Sequence, residues 1–170
     1  MLGFKELTTK NYLHVDEVMR SWVALDSQEA IQPIHPDKWA EEILGVCLAD
    51  TVPVEVQRLF QVARGAMLYG FFFYPLYALS SEQLLRAADT AASMRCRQLD
   101  APGSVNRFEE RINWLGEQGI LSDDEAGRWH ALRGLRNSAS HPSDQTILAP
   151  GMALDLMQRI AEDVSRLFAR

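Results

Sequence analysis

Along most of the chain apolar residues return at spacings of three and four, the period of half-buried helices. Residues 1–14 are only weakly periodic and are expected to be partly disordered. Asp16 to Leu25 reads as a short helix, with Val15, Val18, Trp22 and Leu25 on one face. Pro33 and Pro36 flank Ile34 and His35 and should break the chain. Asp37 is then placed to cap a helix through Leu48, with Trp39, Ile43, Val46 and Cys47 inward. Pro53 suits the first turn of a longer helix, whose stripe is Val56, Leu59, Phe60, Ala63, Met67 and Leu68.

The run from Ala66 to Leu79 is almost wholly apolar, which suits a core helix or a subunit contact. Pro75 should kink or interrupt it, and Ser80 or Ser81 could restart it. Leu84, Leu85, Ala88, Ala91, Ala92 and Met94 continue the apolar side. Asp100 to Gly103 is a turn, and Ser104 is placed to cap a helix over about Val105 to Gln118 with Phe108, Ile112 and Leu115 inward. Ser122 followed by Glu125 forms a capping box for a helix from Asp123 to Ser140. Ser143 to Pro150 reads as an exposed loop. A final helix from Gly151 to Phe168 carries Ala153, Leu156, Met157, Ile160, Val164, Leu167 and Phe168 on one face. Asp155, Arg159, Glu162, Asp163 and Arg166 fall on the other face. No alternating segment predicts a strand. The expected fold is all-α, an antiparallel bundle of about five to seven helices, with residues 1–52 as a helical extension packed on a bundle of residues 53–170.

A chain of 170 residues can bury a core without covalent staples. Its formal charge of -6 argues against a protein that coats nucleic acid generally, yet leaves room for a small basic site. Cys47 and Cys96 have no metal-like spacing and read as buried free thiols of a reducing cytoplasm. No secretory signal is visible, and the apolar run is too short to cross a bilayer, so a cytoplasmic protein without membrane contact is expected.

Candidate chemistry concentrates in Trp129 to Pro142. At about 100° per residue, Trp129, Leu132, Leu135 and Ala139 share one side of a helix. Arg136 lies at the edge of that stripe, and Ser140, Arg133, Asn137, His130 and His141 follow around the polar flank. Pro142 should end the helix near His141, where the macrodipole favours a protonated imidazole. Arginine and histidine on a solvated helix face are also common, and a helix C-terminus attracts cations for capping alone. Glu82 and Arg86, four apart, equally suit an ordinary surface ion pair. The chain has no phosphate-cradling glycine loop, no zinc-protease histidine pair and no nucleophile elbow. Arg, Asn, Ser and His suit transfer within RNA, where the 2′-hydroxyl is the nucleophile and the protein supplies proton transfer and positive charge.

The segment LRGLRNSASHP, with Arg136 and His141 separated by a polar residue and three more, resembles the signature of the HEPN superfamily (higher eukaryotes and prokaryotes nucleotide-binding domain). Glu82 and Arg86 resemble the acidic and basic pair that the family often carries on an earlier helix, and the likeness spans roughly Phe71 to the C-terminus. The resemblance implies a metal-independent endoribonuclease that leaves a 2′,3′-cyclic phosphate. It implies that His141 is the acid or base, that Arg136 holds the phosphate and that Asn137 orients His141 or the backbone. Arg133, Ser140, His130, Glu82 and Arg86 would contact substrate. It further implies a homodimer that pairs two such motifs across one groove, RNA and a cognate protein inhibitor as partners, a toxin or defence role, and neither cofactor nor metal. A non-catalytic domain of the same kind, binding nucleotide, RNA or protein, and a helical scaffold with Ala66 to Leu79 as its contact face are the alternatives.

Overall fold

Helix α4 (Leu76–Gln98) is the element on which the others pack. Its buried face is rich in small residues, Ala87, Ala88, Ala91 and Ala92, so neighbouring helices can approach its backbone. The computed structural model describes residues 4–25, 31–139 and 148–169. In chain order these form α1 (Glu17–Arg20), β1 (Val23–Leu25), β2 (Ile31–Pro33), α2 (Pro36–Gly45), α3 (Val54–Tyr69), α4, α5 (Phe108–Glu117), α6 (Asp123–Ala139) and α7 (Pro150–Phe168). The fold is an all-α helical bundle, and α3, α5, α6 and α7 all contact α4.

Hydrogen bonds show which helices run in opposite directions. Ser80 Oγ donates to the Ala63 carbonyl at 2.8 Å and Gln83 Nε2 to the Leu59 carbonyl at 3.5 Å, so α3 and α4 are antiparallel. Between α5 and α6, Glu109 meets Arg133 and Asn113 meets His130, which gives the same sense. The long apolar run is interrupted over Gly70–Pro75, and α4 restarts at Leu76 rather than at Ser80 or Ser81. Those two serines are buried inside α4 because each hydroxyl finds a carbonyl, Ser81 that of Tyr77 at 2.8 Å. Gly70 is required at the junction: a Cβ there would lie 2.9 Å from Cε2 of the Tyr77 ring.

Among the described residues, the first fifty positions hold more irregular structure than their periodicity suggests. Residues 4–14 are irregular around a turn at 9–13, pinned by Asn11 Nδ2 donating to the Glu6 carbonyl and by Lys5 Nζ donating to the Phe72 carbonyl. Buried Asp16 caps α1 through the Val18 N–H and accepts the Tyr74 N–H at 3.0 Å. It thereby ties this segment to the α3–α4 junction. The helix expected over Asp16 to Leu25 stops at Arg20, and Val23–Leu25 pairs antiparallel with Ile31–Pro33. Three-residue strands are too short to show alternation. His35, not Asp37, caps α2: its Nδ1 accepts the Asp37 N–H at 3.3 Å. That helix ends at Gly45, which leaves Cys47 exposed rather than buried.

Three further expectations are corrected. α5 starts at Phe108, not Val105, because Glu110 reaches back to the N–H groups of Asn106 and Arg107. Leu135 is 47% exposed, which reduces the inward stripe of α6 to Trp129 and Leu132 among the side chains described. Asp163 is buried, although its spacing puts it on the polar face of the last helix, opposite the apolar one. It accepts Arg128 Nη2 at 3.0 Å and Arg166 Nη2 at 3.2 Å. The apolar face expected for α7 is buried as a whole.

Candidate functional site

Two features orient α6. Its start is fixed by the capping box: the Ser122 N–H donates to Glu125 Oε2 at 2.8 Å, and the Glu125 N–H to Ser122 Oγ at 3.3 Å. Its rotation is fixed by Trp129, which is 1% exposed and packs edge-on against Phe108 at 6.2 Å between ring centroids. With Trp129 and Leu132 inward, the polar flank divides between two neighbouring helices. Arg136 turns toward α4, and its Nη2 lies 3.3 Å from Asp89 Oδ2. Arg133 and His130 turn toward α5. Arg133 Nη1 lies 2.7 Å from Glu109 Oε2, and His130 Nε2 lies 3.0 Å from Asn113 Oδ1.

Between α3, α4 and α6 lies a hollow of about 460 Å³. Glu82, Arg86, Asp89 and Arg136 form its polar side, and Val62, Ala66 and Leu79 its apolar side. A second hollow of about 480 Å³, between α5 and α6, is lined by Arg107, Arg111, Arg133, Arg136 and Asn137 with Asp89 and Glu109. Asp89 and Arg136 line both. The structure thus brings Glu82 and Arg86 to Arg136, and it groups Arg133 and Asn137 with Arg136 on the other side. His130 lines neither hollow. Glu82 and Arg86 share the first hollow without pairing with each other among the described residues. Ser140 and His141 lie outside the described residues.

Arg136 is 45% exposed at its side chain, so its guanidinium reaches solvent while Asp89 holds it. A guanidinium so placed offers planar donors to a phosphate. Asp89 and Arg111, which face each other at 2.8 Å, are the residues the sequence reading missed. Asp89 had a signal: it falls three residues after Arg86 and seven after Glu82, on one face of α4. Arg111 had none, since its role depends on how α5 docks. Burial pushes the Cys96 thiol up, while Glu110 is held below the usual carboxylate range by the N–H groups of Arg107 and Asn106. Among the described residues no group of His, Cys, Asp and Glu could hold a metal ion, and no helix is long and apolar enough to cross a membrane.

No family model, curated protein or solved structure matches this chain.

Proposed function

We propose that the chain is a HEPN-like, metal-independent endoribonuclease acting as a toxin or defence component in the cytoplasm. The observation that carries this reading is the first hollow, where half-exposed Arg136 stands with Glu82 and Arg86 from a helix far away in sequence. Arg136 binds the scissile phosphate and stabilises the charge that grows on it. His141 moves the proton: the 2′-oxygen attacks phosphorus, the P–O5′ bond breaks, and the leaving oxygen takes a proton. The products are a 2′,3′-cyclic phosphate and a free 5′-hydroxyl. Asn137 orients the imidazole.

One chain supplies one such histidine, and a two-fold dimer supplies a second without further sequence. Val62 and Leu79, 61% and 57% exposed, border the same hollow and suit a second copy docking at its rim. A cognate protein inhibitor would cover the same face. The test is incubation with mixed RNA in EDTA. Wild type should cleave, and Arg136→Ala and His141→Ala should each lose at least about a hundredfold in rate. Cleavage that survives both substitutions excludes this site.

A second reading, a non-catalytic HEPN-like domain, is favoured by the pairing of Arg136 with Asp89, Arg133 with Glu109 and His130 with Asn113. It predicts binding of RNA, nucleotide or protein with no cleavage by the wild type.

A further inference from the structure

We propose that the hollow between α5 and α6 is a second phosphate subsite, which takes a neighbouring phosphodiester of the RNA strand whose scissile phosphate sits on Arg136; this rests on the reading of Arg136 given above. Four arginines line the hollow against two carboxylates, a local positive surplus on a chain whose formal charge is -6. Arg107 and Arg133 keep donors that neither of these carboxylates takes. Asp89 is shared between Arg111 and Arg136, and Glu109 meets Arg133 through Nη1 alone. The Nε of Arg133 is buried with no acceptor among the described residues. Arg107 is 82% exposed, and its nearest carboxylate oxygen, on Glu110, is 4.0 Å away. Glu110 in turn accepts the Arg107 N–H at 2.9 Å and so fixes the backbone that carries this guanidinium.

The ring in this wall, Phe108, is 5% exposed and packs against Trp129, so it offers no face on which a base could stack. The subsite accordingly meets the strand through its phosphates and not by stacking its bases. Because Arg136 lines both hollows, a strand crossing α6 keeps that guanidinium within reach as it passes from one to the other.

The experiment is fluorescence anisotropy of the full chain in EDTA across a salt series. The probe is a labelled, uncleavable 2′-O-methyl oligoribonucleotide of about 12 nucleotides. Arg107→Ala should lower the slope of log affinity against log salt by about 0.7, the value for one lost phosphate contact on a single strand. Arg107→Lys should restore most of it. Arg159→Ala, at an exposed pair on α7, should leave the slope unchanged. The proposal is overturned if the slope is the same in wild type and Arg107→Ala, or if Arg159→Ala lowers it equally. Absence of oligonucleotide binding, or binding of pyrophosphate alone, overturns it as well. Intact cleavable RNA alongside an Arg107-dependent slope would remove the nuclease reading and leave the subsite. Cleavage with an Arg107-independent slope would do the reverse.

Discussion

Asp89 and Arg136 form the ion pair that joins α4 to α6, Oδ2 to Nη2 at 3.3 Å, while the other oxygen of the same carboxylate holds Arg111 of α5 at 2.8 Å. One acid therefore aims the guanidinium on which the proposed chemistry depends, and it also competes with phosphate for it. Asp89→Asn should separate these two effects. The uncleavable RNA analogue should bind several-fold more tightly, because the Asp89 carboxylate no longer competes with phosphate for Arg136. The single-turnover rate should fall by about tenfold or more, because a loosely held group is misplaced in the transition state. Equal changes in both quantities, in the same direction, would show that Asp89 serves stability alone.

The last helix supplies a prediction about folding. Asp163 is 5% exposed and accepts hydrogen bonds from Arg128 and Arg166, whose side chains remain 39% and 48% exposed. Removing the acid leaves two cations that can still reach water, so the loss is smaller than for a fully buried pair. Asp163→Ala should cost about 2 kcal/mol in urea unfolding. A cost below about 0.5 kcal/mol, the ordinary range for a surface site, would contradict the assigned role.

Much of this bundle was legible because long helices repeat their period many times. The inward residues of α3, α4 and α7 and the Ser122–Glu125 cap follow from spacing alone. Asp163 was misplaced because periodicity sorts residues by polarity and cannot see Arg128 approaching from α6. The same limit applies at the site. A helical wheel put Arg136, Arg133 and His130 on one connected flank, whereas docking against α4 and α5 splits them. The short strands and the Asp16 tie to Tyr74 depend on partners remote in sequence, which no local period reveals.

Acid should weaken the start of α5 through Glu110. The Arg107 and Asn106 N–H groups bond its carboxylate and hold its pKa below the ordinary value. A depressed folded value stabilises the protein above the unfolded pKa, about 4.3, and that contribution is lost as pH falls through the folded value. The melting-temperature difference between wild type and Glu110→Gln should therefore be largest above about pH 5 and shrink below about pH 4. A difference independent of pH would contradict the assignment.

The two thiols should differ in reactivity. Cys47 is exposed and accepts a hydrogen bond from Arg64 Nη1 at 3.4 Å, whereas Cys96 is buried and its thiol is pushed up by desolvation. An aromatic disulfide reagent should titrate Cys47 in the native protein and reach Cys96 only after denaturant is added. Cys47→Ser should abolish the native reaction. Rapid native modification of that variant would show that the core around Cys96 opens.

The most direct test of the central claim uses one short RNA and its 2′-O-methyl counterpart, each incubated with the wild-type protein in EDTA, with products identified by mass spectrometry. The account predicts that the RNA is cut to fragments ending in a 2′,3′-cyclic phosphate and that the methylated strand stays whole. An uncut RNA, or cleavage of both strands, would contradict it.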